Sequence, residues 1–330
     1  MNFLKYFILF KAILSHWKLK GETGATHKRK TLEESVEYIK RVFNDYLQYG
    51  GLTQEDILDK TILEIGPGDN LGVALLFIAR GARKVVCLDR FLCKRDDQQQ
   101  IKIYEALLQT MDEKERQLIE AAITRTQEKI VFNSEKIQYV SGLSIEDAEK
   151  IFPGNSFDYI ISRAVLQYVS DLEKAFHTMD LLLKEKGRLI HKIDMRDHGI
   201  FSSQGMNPLE FLTVPDALWN CLGAHAGKTN RQRINFYRDK LMHWEYDYML
   251  FITHVMGQNQ DIVPHKLIIQ KGLDYSDEDI AKFNSIKPRL LKRFKILSDN
   301  DLLISGIFLV ASKSFDPKFC PAFGGAKYRD

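Results

Sequence analysis

From Lys60 to Ile193 the chain alternates short apolar runs with amphipathic segments, and this alternation limits its fold more than any other feature. The runs are 61–65 (TILEI), 84–88 (KVVCL), 137–140 (IQYV), 157–162 (FDYIIS) and 188–193 (from Arg188). Each is short, mostly rich in Ile and Val, and flanked by turn residues or charges, so each reads as a strand. Helical patterns fill the gaps at 71–80, within 96–130, near 145–151 and at 170–184. Strands separated by helices pair in parallel, because only a long crossover returns the chain to the same end of a sheet. Late runs at about 247–255 and 302–311 are expected to complete a seven-stranded, doubly wound, mostly parallel α/β sheet.

The 96–130 stretch is too long for one crossover and rich in Gln, Glu, Lys and Arg, which predicts an inserted helical pair with solvated faces. The chain has 330 residues, 45% hydrophobic and 28% charged, enough for a sizeable core. Collagen-like, disordered and disulfide-scaffold classes are excluded by that composition. The four cysteines (Cys87, Cys93, Cys221, Cys320) form no CxxC pair, which suits a reducing, cytoplasmic setting. No uncharged apolar run reaches the length of a membrane span.

Net charge is +3, too small to argue for a nucleic-acid partner. Seven of the basic residues (Lys5, Lys11, Lys18, Lys20, Lys28, Arg29, Lys30) lie within residues 1–30 beside one acid, Glu22. On a helix over 3–17, Phe3, Tyr6, Phe7, Phe10, Ile13, Leu14 and Trp17 share one arc, with Lys5, Lys11 and Lys18 outside it. Two readings stay open. Residues 3–19 make peripheral contact with a membrane, aromatic face in lipid and lysines at the headgroups, or the helix covers the protein's own core. Residues 21–30 read as a linker. Thr31 and Glu34 then have capping-box spacing at the head of a helix carrying Val36, Ile39, Val42, Phe43, Tyr46 and Leu47, stopped by Gly50-Gly51.

Chemistry concentrates in Leu63-Glu64-Ile65-Gly66-Pro67-Gly68-Asp69-Asn70-Leu71-Gly72, between the first strand and the next helix. Glycines there let the backbone turn sharply near a ligand, and free N–H groups of the helix's first turn are expected to attract an anionic group. The third glycine falls one residue late for the dinucleotide fingerprint. Asp89 ends the second strand, 25 residues after Glu64, well placed to bond a ribose diol.

This stretch resembles the first motif of class I S-adenosylmethionine-dependent methyltransferases, acidic-x-Gly-x-Gly-x-x-x-Gly, with an acid closing the second strand. Ser156–Ser162 is similar to that family's fourth-strand motif, and Leu181–Leu189 to its helix-to-fifth-strand turn. The resemblance covers most of 60–194 and implies a Rossmann-like core there that binds S-adenosyl-L-methionine. Residues 1–59 would then be a helical extension with linker and capping helix, and 195–330 a lid, an acceptor-facing insertion and the closing strands. By the resemblance, Glu64, Gly66, Gly68 and Asp69 surround the methionine part and Asp89 the ribose. Glu146 meets adenine, with Asp147 an adjacent rival, and Pro67, Gly72, Arg90 and Ser162 complete the cofactor-binding set. One departure is Leu166-Gln167-Tyr168, where many relatives have Leu-Glu-His.

The edge after the fifth strand is polar: His191-Lys192-Ile193-Asp194-Met195-Arg196-Asp197-His198-Gly199. A hydroxyl acceptor needs a base, so Asp194 and His198 are the candidates, with His191 beside them. Arg163 is placed to hold an anionic acceptor, or to tie strand to loop. The expected activity is O-methylation of a small-molecule, glycan or lipid-linked acceptor, with no metal. A nicotinamide-dependent oxidoreductase and a non-catalytic adaptor of the same fold are the alternatives. Gly223-Ala-His-Ala-Gly227-Lys228-Thr229 has too few residues between its glycines for a phosphate-binding loop. Lys228, Arg231, Arg233 and Arg238 are expected on a basic surface, either facing an acidic acceptor or simply solvated.

Overall fold

Seven of the nine strands among the described residues form where the apolar runs predict them. In the computed structural model, which describes residues 3–18, 26–222, 228–258 and 260–314, the nine are β1 (Thr61–Ile65), β2 (Lys84–Asp89), β3 (Ile123–Arg125), β4 (Ile130–Phe132), β5 (Ile137–Ser141), β6 (Phe157–Arg163), β7 (Leu183–Asp194), β8 (Asp247–Val255) and β9 (Ile304–Ser312), of which β3 and β4 are additional. Seven of them make one sheet in the order β5-β2-β1-β6-β7-β9-β8. β1 pairs in parallel with both β2 and β6, and β2 with β5. All five residues of β1 are buried, as a strand covered on both faces must be.

The described residues divide into two units. One lies within Gly21–Arg163, Asp171–His191 and Val310–Asp330, the other within Met1–Lys20, Ala164–Ser170 and Lys192–Leu309.

Helices α1 (Phe3–Lys18), α2 (Leu32–Gly50), α4 (Gly72–Ala79), α5 (Asp97–Leu108), α6 (Glu113–Glu120) and α7 (Leu172–Leu182) follow the expected pattern closely, and a short α3 (Gln54–Ile57), opened by a Thr53–Asp56 capping box, is added between α2 and β1. In the first unit, α2 opens on the Thr31–Glu34 capping box and ends at Gly51, which takes φ 60. It buries Ile39, Val42, Phe43 and Tyr46, and Phe43 meets Phe77 of α4 edge-on at 4.9 Å. The segment near 145–151 is a 3-10 helix, Ile145–Lys150, rather than an α-helix.

The insertion departs from a solvated helical pair in two ways. Its end folds into a two-stranded antiparallel ladder, Ile123 against Phe132 and Arg125 against Ile130, because β-branched runs flank a turn closed by Thr126 N–H to Lys129 O. In addition, α5 buries Gln100, Ile103, Tyr104 and Leu107, so one face of it belongs to the core.

In the second unit, α1 docks through a face that its apolar pattern does not predict. Lys5 and Leu9, 7% and 2% exposed, are the buried positions, whereas Phe7, Phe10 and Leu14 face solvent. The Lys5 ammonium donates to Thr213 Oγ1 at 2.8 Å and lies 3.6 Å from Glu210 Oε1, a carboxylate that also holds Arg289 at 2.6 Å. A buried ion pair with hydrogen-bonded partners therefore sets the helix's orientation, and the aromatic arc is not its packing face. The 195–240 stretch is irregular, with short α8 (Asp216–Asn220) before α9 (Ile234–His243).

The expectation of a basic surface fails for Arg231 and Arg233, which are 3% and 1% exposed. Arg231 donates to the carbonyls of Phe211 and Val214 and pairs with Asp216. Arg233 donates to the carbonyls of Met195, Leu302 and Ile304. Main-chain acceptors left over at loop ends draw these guanidiniums inward. Arg238 pairs with Asp301. Residues 223–227, most of the glycine-bearing 223–229 stretch, lie outside the described residues, as does Cys320.

Candidate active site

The glycine turn is built from β1 outward, within the first unit. Past Ile65 the Gly66 N–H continues the ladder to Leu88 O at 2.8 Å. Gly66 and Gly68 then take φ of 69 and 74, the left-handed region that side chains disfavour. A Cβ on Gly68 would meet nothing within 4 Å, so that glycine answers a conformational need beside open space. Gly72 has a different reason. A Cβ there would stand 2.6 Å from Ile39 Cδ1 and 2.7 Å from Asn70 Oδ1, so the late glycine permits close packing of α2 and α4.

The N–H groups opening α4 are partly engaged. Leu71 N–H donates to Tyr104 Oη at 2.9 Å and Gly72 N–H to Asn70 Oδ1 at 2.6 Å. Gln100 supports the same turn, accepting from Asn70 Nδ2 and donating to Asp69 O. Tyr104 of the inserted helix α5 and Asn70, which Gln100 supports, thus satisfy two donors expected to serve an anion, and no motif marks Gln100 or Tyr104 for that task. Asp69 is similarly occupied: its Oδ2 accepts the His27 N–H at 2.9 Å and the Lys28 N–H at 3.3 Å. The His27 carbonyl accepts from Gln99 Nε2 at 2.7 Å, which fastens the supposed linker at 27–28 to the turn.

Two carboxyls remain poised in this unit. Glu64 is 7% exposed, and burial pushes its pKa up to about 7, with the Cys87 thiol bond and the Arg95 charge giving partial relief. Asp89 is raised to about 6 by burial, against the opposing Gly68 N–H bond and Arg95. Its Oδ2 is buried with no partner among the described residues. An orphaned acceptor at the end of β2 is a place for a donor to arrive, and paired hydroxyls of a ribose have the required chemistry. The residues present therefore fit the nucleoside part of S-adenosylmethionine. Arg95 donates to Gly68 O at 3.1 Å and stacks 3.9 Å above the Tyr139 ring; both were missed, since neither lies in a motif.

The remaining expected cofactor residues are placed as follows. Pro67 is half-buried in the turn, and Arg90 is exposed with its guanidinium 5.3 Å from the Phe91 ring centre. Glu146 is buried in the 3-10 helix, its carbonyl accepting from Thr178 Oγ1, whereas Asp147 is drawn to Lys150 and Lys174 and held at about 2 by their hydrogen bonds. Ser162 Oγ lies 2.8 Å from His191 Nδ1. Burial drives His191 down to about 3, so it is a neutral interior ring. Arg163 is locked to Asp45 at 2.6 Å, a tie between β6 and α2.

The other two candidates sit in the second unit. Asp194 is held fork-to-fork by Arg196 at 2.9 and 2.6 Å. Burial raises its pKa, but the Arg196 bonds and the charges of His198 and Arg196 outweigh this and leave it lowered. His198 is exposed at φ 51, its ring 5.1 Å from Tyr168 and its Nε2 3.4 Å from Asp194 O. Asp197 shapes this turn by accepting from the N–H groups of Gly199, Phe201 and Ser202 and from Ser202 Oγ. A cavity of about 300 Å³ opens here, lined by Arg196, His198, Ser202, Arg233, Gln258 and Ser305 among others. Nearby in the chain, Lys192 Nζ bonds both oxygens of Asp261 at 2.7 Å, and His254 lies 3.3 Å from the same carboxylate. Asp261 was not foreseen, because nothing in its local sequence links it to β7. Among the described residues no group of three or more His, Cys, Asp or Glu could hold a metal ion.

The family model described as a methyltransferase domain matches residues 35–255. No curated protein matches the sequence. Among solved structures, phosphoethanolamine N-methyltransferase 2 of Haemonchus contortus, in complex with S-adenosyl-L-methionine, is 13% identical with a TM-score of 0.43. That match covers 86% of this chain and 58% of the Haemonchus chain, so it spans little more than half of that protein. An S-adenosylmethionine-dependent methyltransferase from Mesorhizobium loti is 14% identical with a TM-score of 0.40, covering 85% of this chain and 100% of the other. With the glycine turn, the acid-tipped β2 and a family match across 35–255, the chain belongs to the methyltransferase-domain family of class I enzymes, with S-adenosylmethionine as its methyl donor.

Proposed function

We propose that this chain methylates an oxygen atom of a small-molecule, sugar or lipid-linked acceptor, with His198 as the base. The position of His198 carries the reading. Of the four candidate catalytic residues, His191 is buried against Ser162, Arg163 is half-buried and locked to Asp45, and Asp194 is clamped by Arg196; His198 is exposed and lines the 300 Å³ cavity. S-adenosylmethionine supplies, when bound, a sulfonium-activated methyl group suited to in-line displacement, so the protein's tasks are positioning and proton removal. Asp89 receives the ribose, Glu64 with the Gly66–Asp69 turn the amino-acid end, and Glu146 the adenine. His198 takes the acceptor's hydroxyl proton at a ring nitrogen. Arg163 and His191 act as positioning residues for β6 and β7. The modest net charge supports an acceptor other than nucleic acid, and four scattered cysteines without a CxxC pair support a cytoplasmic setting.

A deuteriomethyl donor, incubated with the full chain and fractionated cell extract, should label an acceptor detectable by intact mass. His198→Ala should lower turnover by about a hundredfold or more while donor affinity stays unchanged. Equal turnover in the variant refutes the base. Donor binding without any S-adenosylhomocysteine formed across extracts favours an adaptor, and tight NAD binding without donor binding favours an oxidoreductase.

A further inference from the structure

We propose that α1 holds this protein on an anionic lipid bilayer, lying in the plane of the membrane surface with Leu4, Phe7, Phe10 and Leu14 inserted. These four side chains are 51%, 44%, 58% and 48% exposed, large apolar groups that water would ordinarily drive inward. Their spacing places them on one face, and that face is opposite Lys5 and Leu9, the positions that dock. The buried Lys5 explains why the helix cannot roll to cover its aromatic side: doing so would pull the ammonium from Thr213 Oγ1 and from the Glu210 carboxylate that it shares with Arg289. Lys5 and Leu9 are thus fixed inward and the four large apolar side chains outward, so most of the helix's apolar surface does not serve its own core.

Charge selects the occupant. α1 contains three lysines and no acid. Lys11 lies within the exposed arc, its ammonium 4.5 Å from the Phe7 ring centre, close enough to meet a phosphate headgroup as the ring enters the acyl boundary. Residues 1–30 as a whole carry seven basic groups against one acid, while the rest of the chain is net acidic. An apolar protein partner would satisfy the rings but not the one-signed charge; an anionic bilayer satisfies both. With 16 residues the helix is about 24 Å long, short of a bilayer's core, and no helix among the described residues is long and apolar enough to cross a membrane. It therefore lies along the surface.

The test uses the full chain with sedimenting vesicles of phosphatidylcholine, alone or mixed with phosphatidylglycerol, and follows S-adenosylhomocysteine binding as the check on folding. The protein should pellet with the mixed vesicles, less with the neutral ones, and release as salt rises. Phe7→Ser combined with Phe10→Ser should lower partitioning about tenfold or more, and Lys11→Glu should weaken it on the anionic vesicles alone, both with S-adenosylhomocysteine affinity intact. The proposal is overturned if the native chain stays in the supernatant, or if the serine variant partitions like the native chain. It is also overturned by light scattering that shows a concentration-dependent dimer, lost in the serine variant, without vesicle binding, since the face would then join two copies.

Discussion

Replacing Glu64 by glutamine should stabilise the ligand-free protein at neutral and alkaline pH and leave it unchanged in acid. The carboxyl is 7% exposed, and burial, with a smaller contribution from Asp89, pushes it to about 7 despite the Cys87 bond and the Arg95 charge. In the unfolded chain it ionises near the ordinary value of 4.5. Between these limits the native state holds a proton that the unfolded state has released, so stability falls as pH rises through the window. At about 1.4 kcal/mol for each pH unit, the loss is roughly 3 kcal/mol, complete above about pH 7. Glutamine has nearly the same shape and never ionises, so its stability lacks this slope. Urea unfolding of both proteins at constant ionic strength should give curves that coincide near about pH 4.5 and separate by roughly 3 kcal/mol at about pH 8, with equal m-values. Curves that run parallel across the whole range would refute the reasoning, because they would mean that Glu64 is solvated or paired in the native protein. The same substitution should weaken binding of S-adenosylmethionine, whose α-ammonium would pair with the ionised carboxylate. Stability gained and affinity lost in one variant would mark Glu64 as a strained charge kept for its ligand.

Asp89→Ala should weaken donor binding by about 1–3 kcal/mol, the scale of leaving polar groups unpaired, as read by calorimetric titration; unchanged affinity would show that the ribose lies elsewhere. Gly72→Ala should destabilise the protein by roughly 1–3 kcal/mol in urea unfolding, because its methyl would fall 2.6 Å from Ile39 Cδ1. Ile39→Val in the same chain should recover part of that loss, and absence of any loss would mean that α2 and α4 shift apart freely.

Patterns with a local cause were legible in the chain alone. β1, β2, β5 and β6 follow from apolar runs between turns, α2 from the Thr31–Glu34 box and the Gly51 stop, and the glycine turn from two left-handed positions between strand and helix. The place of Asp89 at the tip of β2 was legible too, as was that of Glu64 one residue before the end of β1. The 3-10 helix at Ile145–Lys150 was not, because its length and apolar spacing are the same as those of a short α-helix.

What the sequence determined by itself was therefore the sheet, the family and the glycine turn between β1 and α4, all governed by interactions a few residues apart. The tertiary structure alone decided which polar groups answer one another across long separations. It gave Asp69 to the backbone of residues 27–28, Tyr104 to the head of α4, Arg233 to three distant carbonyls and Lys5 to Glu210. It also turned the aromatic side of α1 outward. Hydrophobic periodicity counts how many side chains favour leaving water, but a buried charge must find one particular partner, and that requirement decides which face goes in.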